Sequence, residues 1–117
     1  MEKKPIDAAY VNSLVNLINA CRAHNVKIDK VSVFLNGWHV TFEGYPHADA
    51  ICHDGSYGSP CFLHIHKNDW SCHSGMWETI GFPWDEGDVS IHTPEELATY
   101  IEALNNNETP WENNEDY

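Results

Sequence analysis

Val31-Ser32-Val33-Phe34-Leu35, then Asn36-Gly37, then Trp38-His39-Val40-Thr41-Phe42: this stretch decides the fold. Both runs alternate at period two, the spacing that sends successive side chains to opposite faces of a strand. Asn-Gly between two alternating runs predicts a type I′ hairpin, because both central residues of that turn need positive φ. With Asn36-Gly37 as the loop, Leu35 pairs with Trp38, Val33 with Val40 and Val31 with Phe42. Those six define the core face. Phe34 and His39 fall on the other.

Working outward, Gly44-Tyr45-Pro46 breaks the chain. A second hairpin is expected from about His47 to Lys67, with arms Ala48–His53 and Cys61–His66 around a loop of turn formers. In the register that sets Cys52 opposite Cys61, Asp49 faces His64 and His47 faces His66. Upstream, Asp7 to His24 reads as an amphipathic helix with Val11, Leu14, Ile18 and Cys21 as its stripe, widened by Val15 and Leu17. Asn25 is its expected left-handed stop. Residues 68–88 carry no period and read as a long aromatic loop, followed by a short strand at Val89-Ser90-Ile91. Thr93-Pro94-Glu95-Glu96 then opens a second helix, with Thr93 as N-cap, Pro94 at the first position and Glu96 closing a capping box. Its buried stripe is Leu97, Ile101 and Leu104.

This order predicts an α+β domain: an antiparallel four- to five-stranded meander sheet with an N-terminal and a C-terminal helix packed on one face. Residues 1–104 form the single domain, and 105–117 an acidic, Asn-rich flexible tail. A chain of 117 residues with 42% hydrophobic side chains can bury one core and has no room for a second. No run approaches the ~20 apolar residues of a bilayer span. The polar start, Met1-Glu2-Lys3-Lys4-Pro5, lacks the apolar core of a signal peptide, so a cytoplasmic location is expected. Cys21, Cys52, Cys61 and Cys72 form no C-x-x-C pair and are expected as reduced, small hydrophobes.

Charge is unevenly spread. Residues 1–42 carry five Lys/Arg against three Asp/Glu, whereas 43–117 carry fifteen Asp/Glu and only Lys67, for a net −12. A field of that sign repels nucleic acid and anionic membranes and attracts basic protein surfaces.

Two constellations follow. On the outer sheet face, His39, His47, Asp49, His64 and His66 would lie together, and His64-x-His66 places two imidazoles about 7 Å apart along one side of a strand. Zinc is the ion such a cluster would take. Apart from it no cofactor is expected, since the stricter zinc spacings are absent. No catalytic motif is complete either: Cys52-His53 and Cys72-His73 are strand neighbours that point apart, and no serine sits in G-x-S-x-G. The second constellation is aromatic and acidic. Phe34, Ile51 and Phe62 share the outer face, and Trp70, Trp77, Trp84, Asp85, Glu86 and Asp88 occupy the long loop. Aromatic anchors with steering charge suit a protein interface.

The leading expectation is therefore a small acidic binding protein that occupies a basic surface of a partner. Inhibitors, immunity proteins and phage anti-defence proteins share this size and charge, though no motif links them to this chain. The alternative is a metal- or small-ligand-binding domain, with enzymatic activity less expected than binding, centred on the histidine cluster. A homo-oligomer that pairs through the sheet is a further expectation.

Overall fold

The Asn-Gly hairpin forms, with its turn one residue earlier than the pattern predicts. The computed structural model describes residues 8–53, 56 and 76–112. Among them, strand β1 (Ile28–Phe34) and strand β2 (Gly37–Phe42) are joined by Leu35 and Asn36, whose φ values are 48° and 64°. Gly37 is the first residue of β2 and not part of the turn. A Cβ on it would sit 2.0 Å from the Cys52 carbonyl oxygen. Glycine is needed here because the next strand's backbone crosses close by, not because of its φ. The observed pairs are Val33 with Trp38 and Val31 with Val40. That is a shift of two residues from the expected register, so the strand side chains keep their predicted faces. Leu35, however, falls in the turn, and Val31, Val33 and Leu35, expected in the core, are exposed.

Helix α1 (Ala8–Ala23) precedes the hairpin; strands β3 (Tyr45–Cys52), β4 (Trp77–Ile80) and β5 (Ser90–His92) and helix α2 (Pro94–Asn105) follow it. The five strands lie in the order β1-β2-β3-β4-β5, every neighbouring pair antiparallel. The expected meander is thus observed, as an α+β architecture with the helices on one face. The strand beside β3 is Trp77–Ile80, so Asp49 stands opposite Ile80 and the expected register of Asp49 against His64 is corrected. The arm Cys61–His66 lies outside the described residues. Trp77-Glu78-Thr79-Ile80, expected within an irregular loop, is a strand. Gly44 (φ 90°) turns β2 into β3 without the predicted break.

Helix α1 stops at Asn25 with φ 58°, as expected of a left-handed cap. Its buried stripe is rotated from the predicted one. Tyr10, Ser13, Leu17, Ala20 and Cys21 face the core, while Val11 and Val15 are exposed. Helix α2 begins as predicted, with the Glu96 N–H donating to Thr93 Oγ1 at 3.0 Å. Leu17, Cys21, Leu97 and Ile101 from the helices meet Val40, Phe42, Ala50, Cys52 and Trp77 from one side of the sheet. Each large aliphatic chain buried there contributes about 1.5–3 kcal/mol. Burial also pushes the Cys21 thiol up to about 12, leaving it an inert core residue.

Residues 106–112 fold back where a flexible tail is expected. Trp111, in a short 3-10 turn at Pro110–Glu112, packs on Trp84 and Tyr100 with ring centroids 5.1 and 5.3 Å away. No helix among the described residues is long and apolar enough to cross a membrane.

Candidate functional site: the outer sheet face

Alternation along the strands that build the core leaves a second set of side chains on the far side of the sheet. One row runs straight across it: Ser32, His39, Ile51, Glu78 and Ile91 are consecutive cross-strand partners. Ile80 and Asp49 form a neighbouring pair. His39 Nε2 lies 3.0 Å from Asp49 Oδ2, a diagonal contact between β2 and β3 that fixes the ring. At one end Phe34 meets His53 edge-on, with ring centroids 5.2 Å apart. His53 is held at the end of β3 by Ser56, whose Oγ accepts from the His53 N–H and donates to its carbonyl. Phe34, His39, Asp49, Ile51 and His53 line a shallow, mostly apolar cavity of about 370 Å³.

Phe34, His39, Ile51 and Asp49, assigned from the sequence to the outer face, are therefore together there, and His47 is exposed on the same strand. Phe62, His64, His66 and Trp70 lie outside the described residues. Among the described residues no group of three or more His, Cys, Asp or Glu side chains is arranged to hold a metal ion. Glu78, Ile80 and Ile91 were not singled out in the sequence. The alternation in Trp77-Glu78-Thr79-Ile80 was the signal that could have found two of them.

Two residues expected at a binding surface belong to the interior. Trp77 is fully buried on the core face of β4, and its Nε1 has no hydrogen-bond partner among the described residues. Asp85 is 5% exposed and anchors a polar network. Its Oδ1 accepts from the Thr79 hydroxyl at 3.0 Å and from the Ser90 hydroxyl, and its Oδ2 accepts from the Phe82 N–H at 3.1 Å. Trp84 is half-buried: it stacks on Phe82, centroids 4.4 Å apart and 8° from parallel, and donates from Nε1 to Thr79 Oγ1. Glu86 and Asp88 are exposed, as expected.

The network continues beyond Asp85. His92 Nε2 lies 2.7 Å from Ser90 Oγ, and His92 Nδ1 lies 2.9 Å from Glu96 Oε1. The order hydroxyl, imidazole, carboxylate is that of an acyl-transfer triad. Here, however, the Ser90 proton is directed at Asp85, and the His92 ring is 6% exposed beneath Trp84 and Tyr100. A hydroxyl carries one proton, so it cannot serve both neighbours as donor. The arrangement ties the loop 81–89 and β5 to the first turn of α2. Glu96 consequently caps no helix N–H with its side chain, contrary to the predicted capping box.

A second histidine clasps the helices. His24, at the C-terminal end of α1, places Nδ1 2.7 Å from Glu102 Oε1 and Nε2 2.5 Å from Glu95 Oε2. Hydrogen bonds to Glu102 and then Glu95, outweighing partial burial, raise its pKa above the ordinary histidine value.

Comparison with models of known protein families, with curated proteins and with solved structures returned no match.

Proposed function

We propose that this chain is a small acidic binding protein that occupies a basic surface of a partner protein, in the manner of an inhibitor or immunity protein of the cytoplasm. One observation carries the reading. Residues 76–112, which build β4, β5 and α2, contain nine Asp/Glu and no Lys/Arg. On the outer face the same half of the sheet interleaves acids with aliphatic side chains: Glu78 lies between Ile51 and Ile91, and Asp49 beside Ile80. Apolar anchors within a single-sign field suit a partner whose own surface is basic and partly apolar.

The test is capture at low salt with the full chain as bait, followed by titration of the purified partner. A basic partner is expected, with a dissociation constant that rises at least about tenfold between roughly 50 and 200 mM salt. Glu78→Lys, which reverses the charge between Ile51 and Ile91, is expected to weaken binding by a similar factor. Affinity indifferent both to salt and to Glu78→Lys would sink the proposal.

A further inference from the structure

The opposite edge of the molecule differs in character. Among the described residues strand β1 is an edge strand, hydrogen-bonded only to β2, and every residue from Asp29 to Phe34 is exposed. Val31 and Val33 pair with Val40 and Trp38 and so point to the side of the sheet that the helices cover elsewhere. Over β1 the cover is missing, and Val33 is 65% exposed. Helix α1 runs alongside. Trp38 Nε1 donates to the Tyr10 carbonyl at 2.8 Å, which sets the start of α1 near Val33. At its other end Ile18 and Arg22 share an open cavity of about 430 Å³ with Ile28 and Val31. Val11, Val15, Ile18 and Arg22 recur at four- and three-residue steps, hence on one face of the helix. A partly apolar groove therefore lies beside the Ile28–Val31 end of β1, walled by Ile18 and Arg22 of α1. Apart from Phe34 on the outer face, five of the nine exposed large hydrophobic side chains among the described residues lie on α1, β1 and the β1–β2 turn: Val11, Val15, Val31, Val33 and Leu35.

We propose that the β1 edge and this groove form a homodimer interface, with β1 pairing antiparallel to β1 of a second copy. The choice of occupant rests on charge. Arg22, Lys27 and Lys30, the cations among the described residues, are all on or beside this edge, and Arg22 and Lys27 share the cavity with Glu43. It is the one part of the described surface where two copies of a chain with net charge −12 approach without like-charge repulsion. A two-fold axis through β1 also sends Glu78 of β4 and the acidic loop residues Glu86 and Asp88 to opposite ends. The two β5 strands are then nine strand spacings apart, about 43 Å, several times the ~8 Å screening length at physiological salt. An acidic second protein would meet only three cations, and a basic one is drawn to the far edge.

Register follows from the side chains. Directly opposed residues of an antiparallel pair share a face, so a two-fold centred on Ser32 sets Val31 opposite Val33 of the second copy and Lys30 opposite Phe34. The bulge between Ile28 and Lys30 confines pairing to Lys30–Phe34. An interface this short is expected to dissociate in the micromolar range.

Sedimentation velocity on the full chain, from roughly 1 to 100 μM, tests the proposal. The expected result is a shift from the 13.3 kDa monomer to twice that mass with rising concentration. Val33→Lys and, separately, Val31→Lys should each weaken the dimer at least tenfold with unchanged circular dichroism, which their exposure allows. Ile91→Lys, on the far edge strand, should leave it intact. Added salt should leave the dimer nearly unchanged, since the acidic ends already lie several screening lengths apart, whereas it weakens partner capture, so the two proposals stand or fall separately. A monomer throughout, or a dimer that survives both valine substitutions or is broken by Ile91→Lys, overturns it.

Discussion

Replacing Asp85 by Ala and by Asn separates two things that its buried carboxylate supplies, an acceptor and a charge. Three donors converge on it: the Thr79 and Ser90 hydroxyls and the Phe82 N–H. In Asp85→Ala the hydroxyls have alternatives. Ser90 turns toward His92 Nε2 at 2.7 Å, and Thr79 toward Ser90 Oγ at 3.2 Å. The Phe82 N–H has none among the described residues, and a buried orphan donor costs about 1–3 kcal/mol. Adding the loss of hydrogen bonds to a charged group, the expected destabilisation is about 3 kcal/mol, or about 12 °C in Tm for a chain of this size. In Asp85→Asn the amide oxygen still accepts from Phe82, and its NH₂ donates to a hydroxyl that accepts as readily as it donates. About 1 kcal/mol and 4 °C are expected there. Urea unfolding followed by circular dichroism measures both from the midpoints at constant slope. An Ala variant within about 1 kcal/mol of wild type would show that the network does not hold the loop. Asn as damaging as Ala would show that the charge itself is required.

Other outcomes follow from geometry already described. The His24 pKa is raised in the folded state, so the stability it contributes is fully present below the unfolded value of 6.5 and is lost as pH rises through the higher folded value. His24→Gln should remove that slope from a Tm–pH profile; parallel profiles for the two proteins would refute the clasp. Gly37→Ala drives a Cβ into the Cys52 carbonyl and should destabilise by at least about 3 kcal/mol, whereas Gly44→Ala meets open space and should lose only the ~1–2 kcal/mol of a positive φ. Equal thermal shifts for the two glycine variants would contradict the close approach.

What was legible in the sequence was whatever local chemistry determines. Thr93-Pro94 starts a helix in any context, and Asn25 stops one. The Val31–Phe42 alternation gave both faces of the first hairpin correctly, because a two-residue shift in register changes partners and not sides. The turn was misplaced because a long-range contact decides it: the Cys52 carbonyl claims the space beside Gly37 and leaves Leu35 to take a positive φ. The α1 stripe was misread for a related reason. Val11 and Val15 fit an apolar face as well as Tyr10 and Leu17 do, and only the absence of cover over β1 exposes them. Asp85, Ser90, His92 and Glu96 look like ordinary surface residues in sequence, since nothing local announces that a loop will fold them under Trp84. Of the candidate site, period two alone places Phe34, His39, Asp49 and Ile51, whereas Glu78 and Ile80 lie in a four-residue strand that barely repeats, and Ile91 lies in an expected strand too short to show which face it takes.

The segregation of charge has a consequence of its own. With Lys27 and Lys30 at the β1 edge and Glu78, Glu86 and Asp88 at the β4–β5 edge, up to about 19 Å across the sheet, the molecule carries a permanent electric moment directed along its strand-to-strand axis. In the field of any charged surface it is oriented before it touches. A support bearing fixed positive charge should seize it by the acidic end and leave the β1 edge facing outward, so adsorption, normally a nuisance in handling an acidic protein, would present every copy the same way up.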